Sequence, residues 1–297
     1  MQGEGKSHSA IGVPFLAAAR ALGLACATAT LLTLGACQKP AGEPAAANST
    51  ADVSGYLEPP VMTGAVREAD GRVTLTGRAP IDTEVRLMAP GGGAFSATAT
   101  AAGDWSIQLA ASPEPRMFAF EGEIAGRVLH AEGAILVLPL PGPAAVLMRA
   151  GYGAAPIGLG GGPFRIEAID YDGSGGVAVS GVAAPRAMLR FVLDGAPAGA
   201  GQADDKGRFT VLDMNTRTPM GQGAHTVRIE GQTTAVHGPL TIAAPTDLSD
   251  RAFASTRELD GWRIDWRIPG GGTQSTLVFD AASPAPLIGA PVSGARR

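Results

Sequence analysis

Beyond residue 58 the hydrophobic positions fall on alternate residues in short runs. Val73 and Leu75 alternate with Arg72, Thr74 and Thr76, and Val177 and Val179 alternate with small residues. This period of two is that of a strand with one face buried. Val85 and Leu87, then Leu189, Phe191 and Leu193, repeat the pattern. So do Trp105 with Ile107 and Phe209 with Val211. Further strands are predicted near Met117–Phe120, Gly126–Leu129, Ile135–Leu138, His225–Ile229 and Leu240–Ile242. Turn residues separate them: Pro80 and Pro185, Asp194-Gly195, and Asp204-Asp205-Lys206-Gly207. Short strands with turns at this spacing predict an all-β chain of sandwich type.

The runs also repeat. Gly71–Ala79 aligns with Gly175–Ala183 at an offset of 104 residues. The same offset places Val85-Arg86-Leu87 on Leu189-Arg190-Phe191 and Gly103–Ile107 on Gly207–Val211. One residue more places Gly133–Val137 on Gly238–Ile242. A constant offset through several blocks is the signature of a duplicated unit.

Two segments stand outside the duplication. Residues 142–163 are expected to be a linker, with one short strand at Ala144–Met148 and a Gly160-Gly161-Gly162 hinge. Near the C-terminus, Trp262, Ile264, Trp266 and Ile268 alternate with Arg263, Asp265 and Arg267. A Pro269-Gly270-Gly271-Gly272 turn follows, then Leu277 and Phe279, which predicts a hairpin.

The N-terminus is patterned differently. Residues 1–20 are polar and weakly basic, with Lys6 and Arg20, and Ala21–Leu34 is an apolar run too short to cross a bilayer as a helix. The run ends in Leu34-Gly35-Ala36-Cys37, which resembles a bacterial lipobox. The resemblance implies cleavage before Cys37, acylation of its thiol and amine, and a durable anchor from two or more acyl chains. The competing readings are an ordinary secretory signal cut near Ala36 and an uncleaved helix starting at Ile11, against which the charge of Arg20 argues. Gln38 after the cysteine implies sorting to the outer membrane, so the expected location is the cell envelope, lipid-anchored. Residues 38–57, rich in Ala, Pro and Gly, read as a flexible tether that reaches at most about 70 Å.

The repeated blocks share Val-x-Leu/Val-x-Gly-x-Ala, then Val-Arg-Leu or its equivalent, then Gly-x-Trp/Phe-x-Ile/Val. In this they resemble bacterial immunoglobulin-like modules, over residues of about 60–140 and 164–245. The resemblance implies the sandwich fold and leaves function open. The expected organisation is a lipoprotein signal peptide (1–36), a lipidated tether (37–57), sandwich one (58–141), the linker (142–163), sandwich two (164–245), and a C-terminal hairpin extension with a tail (246–297).

Composition narrows the function. The 297 residues are 45% hydrophobic, with 42 Gly, 23 Pro and a net charge of −4. That suits a folded chain of short strands and carries no basic footprint for nucleic acid. Of the two cysteines, Cys26 leaves with the signal and Cys37 is the lipidation site, so neither a disulfide nor a cysteine metal site is expected.

The candidate sites are few. Asp170-Tyr171-Asp172-Gly173-Ser174-Gly175 resembles part of a calcium loop, but calcium takes about six to eight oxygens and a hairpin turn uses the same residues. Trp262 and Trp266 form either a platform for sugar rings or part of a core. His130, His225 and His237 stand apart from any G-x-S-x-G or H-E-x-x-H motif. No catalytic residue, metal site or cofactor is expected. The leading reading is a non-catalytic envelope lipoprotein acting as a structural or protein-interaction module, with the membrane, envelope proteins or cell-wall glycan as partners. A carbohydrate or peptidoglycan binder using Trp262 and Trp266 is the alternative, and a hydrolase with a triad formed only in space is the third.

Overall fold

The computed structural model describes residues 55–157, 164–213, 221–231 and 234–280. Among them there are nineteen strands and no helix. The first repeat contributes β1 (Val61–Arg67), β2 (Val73–Arg78), β3 (Glu84–Met88), β4 (Ala94–Thr98), β5 (Asp104–Leu109), β6 (Arg116–Ile124) and β7 (Arg127–Val137). After it come β8 (Ala145–Met148) and β9 (Ala155–Ile157). The second repeat contributes β10 (Arg165–Asp172), β11 (Val177–Val182), β12 (Met188–Leu193), β13 (Ala196–Gln202), β14 (Arg208–Leu212), β15 (Gly223–Glu230) and β16 (Thr234–Ile242). The chain then forms β17 (Phe253–Arg257), β18 (Gly261–Arg267) and β19 (Thr273–Phe279).

All pairings are antiparallel, and the strands make four sheets: β1-β2-β5, β4-β3-β6-β7-β8-β9, β14-β11-β10-β19-β18-β17 and β13-β12-β15-β16. Taken as sheets one to four in that order, each repeat places three strands against four. The fourth strand of each repeat stays beside the third. In a constant-type immunoglobulin domain it joins the sheet of the first, second and fifth. The fold is therefore a tandem β-sandwich of the immunoglobulin and fibronectin-III kind.

The duplication holds at the level of single hydrogen bonds. β1 and β2 pair with a bulge between Met62 and Gly64; β10 and β11 pair with one between Ile166 and Ala168, each shifted by 104. The Ala79 amide donates to Gly103 O at 2.9 Å, and Ala183 to Gly207 O at 2.7 Å. Opposite the bulges sit Gly77 and Gly181, where a Cβ would lie 2.0 Å from Val61 O and 2.2 Å from Arg165 O. Trp105 and Phe209 press their rings on the same two glycines.

Three cores separate the four sheets. Leu75, Trp105, Phe118 and Ile135 lie between sheets one and two. Ile169, Val179, Phe191 and Ile229 lie between sheets three and four. The third core fills the space between the repeats. Met117, Leu136, Val146 and Met148 from sheet two meet Ala168, Ile264, Trp266 and Val278 from sheet three. The start of β6, the end of β7 and β8 are thus buried on both faces, Phe118 and Ile135 pointing one way and Met117 and Leu136 the other.

This arrangement changes the expectation for the two segments outside the duplication. Within 142–163, expected to be a linker, β8 pairs with β7 and β9 with β8, so both belong to sheet two. Within 246–297, expected to be an extension, β19 pairs with β10 and places β18 and β17 in sheet three. The physical reason is burial. A strand such as Ala145-Val146-Leu147-Met148 has apolar residues for both faces, and it gains most where sheets cover it from both sides.

Candidate functional site

The junction between the repeats holds a buried carboxylate with three protein donors. β10 places Asp170 on the face of sheet three that looks toward sheet two, where it is 3% exposed. Its carboxylate accepts hydrogen bonds from Thr276 Oγ1 at 2.6 Å, Gln274 Nε2 at 2.9 Å and the Ala154 amide at 2.6 Å. The first two come from β19, the third from the segment between β8 and β9. Gln274 reaches the same segment by accepting from the Gly151 amide at 3.3 Å. Burial pushes the Asp170 carboxyl above its ordinary pKa, against the hydrogen bonds from Thr276, Ala154 and Gln274 and the charge of Arg149, which pull the other way.

A second polar tie crosses the junction. Arg208 on β14 donates to Pro156 O on β9 at 2.6 Å and to the buried Glu167 carboxylate at 3.1 Å. Arg165 meets Glu167 from the other side at 2.5 Å. Burial still pushes the Glu167 carboxyl upward, ahead of the two arginines.

The calcium-loop residues do not converge. Asp170 is held by three protein donors, and Asp172 closes the β10–β11 turn by accepting from Ser174 N, Ser174 Oγ and Gly176 N at 2.8, 2.6 and 3.1 Å. This is the turn geometry that Asp and Gly favour. Among the described residues no group of three or more His, Cys, Asp or Glu side chains is placed to hold a metal ion.

The tryptophan platform is corrected by burial. Trp266 is 2% exposed, its Nε1–H donates to Thr276 Oγ1 at 3.3 Å, and its ring belongs to the core between the repeats. Trp262 is half-buried beside it under the Arg257 guanidinium, 5.5 Å from the ring centroid. Two aromatic faces open to a sugar are therefore not present. The alternation seen in the sequence holds, and the structure assigns its two faces. The tryptophans face the first repeat, while Arg263 and Asp265 turn into the second. There Asp265 accepts from Ser275 Oγ at 2.6 Å and the Thr246 amide at 2.9 Å.

Of the histidines, His225 Nδ1 lies 2.7 Å from Asp194 Oδ2, and its Nε2 lies 2.9 Å from Gly221 O. The imidazole is thus held between a carboxylate and a carbonyl, with no hydroxyl at the second nitrogen. His130 is exposed, 3.6 Å from Glu121. His237 lies on β16 with its side chain outside the described residues, and Cys37 lies outside them as well.

Sequence reasoning missed the junction. The available signal was two apolar segments standing outside a 104-residue repeat, one of them carrying residues for both faces of a strand.

The fold and these sites define a class, tandem β-sandwich proteins. No protein-family model matches the chain, and no curated protein matches it. Among solved structures it is similar to the BSP domain of a biofilm-associated protein, at 12% identity over 63% of this chain and 30% of that one, with a TM-score of 0.22. It is also similar to a Ca2+-stabilized adhesin that helps an Antarctic bacterium reach out and bind ice, at 14% identity, 72% and 62% coverage and a TM-score of 0.20. A third is the central fibronectin-III array of RIM-binding protein, at 10% identity, 75% and 89% coverage and a TM-score of 0.25. The chain spans 30% and 62% of the first two.

Proposed function

We propose that this protein is a non-catalytic, lipid-anchored module of the bacterial cell envelope that presents two β-sandwiches, stacked as one scaffold, to protein partners. The observation that carries the scaffold is the third core. Met148, Val146, Ile264 and Trp266 bury apolar surface between the repeats, where two free-standing modules would expose it. Asp170 and Arg208 add polar ties across the same junction. A face-to-face stack fixes the loops of both sandwiches relative to one another, and such rigid presentation suits interaction more than transport or turnover.

The anchor rests on Leu34-Gly35-Ala36-Cys37 and the apolar run before it. Acylation of Cys37 would hold the scaffold at the outer membrane by the tether of residues 38–57. The absence of a basic patch leaves the lipid as the membrane contact. Envelope proteins are the partners this placement favours. Metabolic labelling with a palmitate analogue tests the anchor. Wild type incorporates label and Cys37→Ala does not; equal labelling of the two overturns the reading.

A further inference from the structure

The outer face of sheet two carries one row of cross-strand partners, from Met88 on β3 through Ala119 on β6 and Ala134 on β7 to Met148 on β8. Met148 is fully buried under sheet three, Ala134 and Met88 are half-buried, and Ala119 is exposed. Sheet three therefore covers one end of the row and leaves the other open. With a methionine at each end and two alanines between them, the row is a trough. Trp266 forms part of the opposite wall, and Tyr152 and Pro269 stand at the rim. The groove has a volume of about 560 Å³, within the roughly 300–1,000 Å³ range that holds small ligands, and it lies at a domain junction where such sites concentrate.

Its charges are unequal. Arg149 and Arg267 line the groove against a single carboxylate, Glu132. Arg149 uses Nε–H on Gly153 O at 3.2 Å, and Arg267 uses one Nη2–H on Ser249 O. A guanidinium has five N–H donors, so both retain donors for an anion. The apolar part of the lining is adaptable, because methionine side chains repack around different shapes.

We propose that this groove binds a small amphipathic monocarboxylate, its apolar body in the Met88–Ala119–Ala134 trough and its carboxylate at Arg149 and Arg267. The proposal is independent of the lipid anchor. Met88, Ala119 and Ala134 supply most of the apolar contact, and the two guanidiniums select an anion over a neutral molecule of the same shape.

The test uses two fluorescent probes with similar aromatic bodies, anilinonaphthalene sulfonate and neutral N-phenyl-1-naphthylamine, titrated into the full chain near pH 7, with decanoate as competitor. Saturable one-to-one binding is expected, with the sulfonate the tighter of the two and displaced by decanoate. Ala119→Leu fills the trough from an exposed position and should weaken both probes by about tenfold or more. Met88→Trp, at the open end of the row, serves the same purpose if Ala119→Leu does not fold. Arg267→Gln should weaken the sulfonate by about fivefold and leave the neutral probe unchanged, as an exposed charge contact would. Unchanged binding of both probes in the trough variant, or an equal effect of Arg267→Gln on the two probes, overturns the proposal.

Discussion

The Ala154 amide donates to the Asp170 carboxylate across 2.6 Å, and in doing so joins a segment after the first repeat to the first strand of the second. Both groups are buried, so neither has water as an alternative partner. Asp170→Ala would leave the Ala154 N–H and the Gln274 and Thr276 donors unmatched. Since each unmatched buried group costs about 1–3 kcal/mol, a loss of about 3 kcal/mol is expected. Urea unfolding checks it. A loss under about 1 kcal/mol would mean that the hydrogen bonds contribute little to the junction.

Two buried carboxylates on opposite faces of sheet three should respond to pH with opposite signs. The folded-state pKa of Asp170 is raised, so its stabilising contribution is complete below the unfolded value of about 3.9 and is lost as pH rises through the folded value. Burial pushes Asp265 upward too, but the hydrogen bonds from Ser275 and Thr246 and the Arg263 charge outweigh it and hold the group below its ordinary range. Its contribution is complete above the unfolded value and is lost as pH falls through the folded one. Unfolding free energies from pH 3 to 8 should show wild type losing ground to Asp170→Asn as pH rises, and to Asp265→Asn as pH falls. Parallel curves for either variant contradict the corresponding assignment.

Gly77→Ala and Gly181→Ala should destabilise to a similar degree, because each new methyl meets a backbone oxygen and an aromatic ring that are both fixed in a core. Overpacking of this kind costs about 1–3 kcal/mol. Thermal unfolding of the two single variants measures it, and a tolerated alanine at one site only would break the equivalence of the repeats.

Trp266→Ala removes a buried ring and should cost about 3–5 kcal/mol, whereas Trp262→Ala, at a half-buried position, should cost less. A glycan-binding role for the pair predicts the reverse separation: lost retention on peptidoglycan with stability intact. Pull-down and thermal unfolding on the same two variants distinguish them.

Much of the fold is legible in the sequence. Val73, Leu75, Trp105 and Phe209 give strands because one side of each strand faces a core and the other does not, and the 104-residue offset survives as matching bulges and turn hydrogen bonds. What covers a strand's second face is not legible. Ala145–Met148 reads as a short apolar run, and its partners Ile264 and Trp266 lie more than a hundred residues away. The alternation of Trp262 to Arg267 separates two faces without saying which looks at which sheet. The groove escaped for a similar reason: Ala119 and Ala134 look unremarkable singly and form a trough only once the register aligns them.

The central claim is that the third core joins the two repeats into one folding unit. Native-state hydrogen exchange across a urea series tests it most directly, by comparing the most protected amides of β2 and β5 with those of β11 and β14. A shared core predicts that the two sets merge into one opening isotherm with a common slope and midpoint. Two separate isotherms, each with the smaller slope of a single sandwich, would show the repeats unfolding independently and contradict the account.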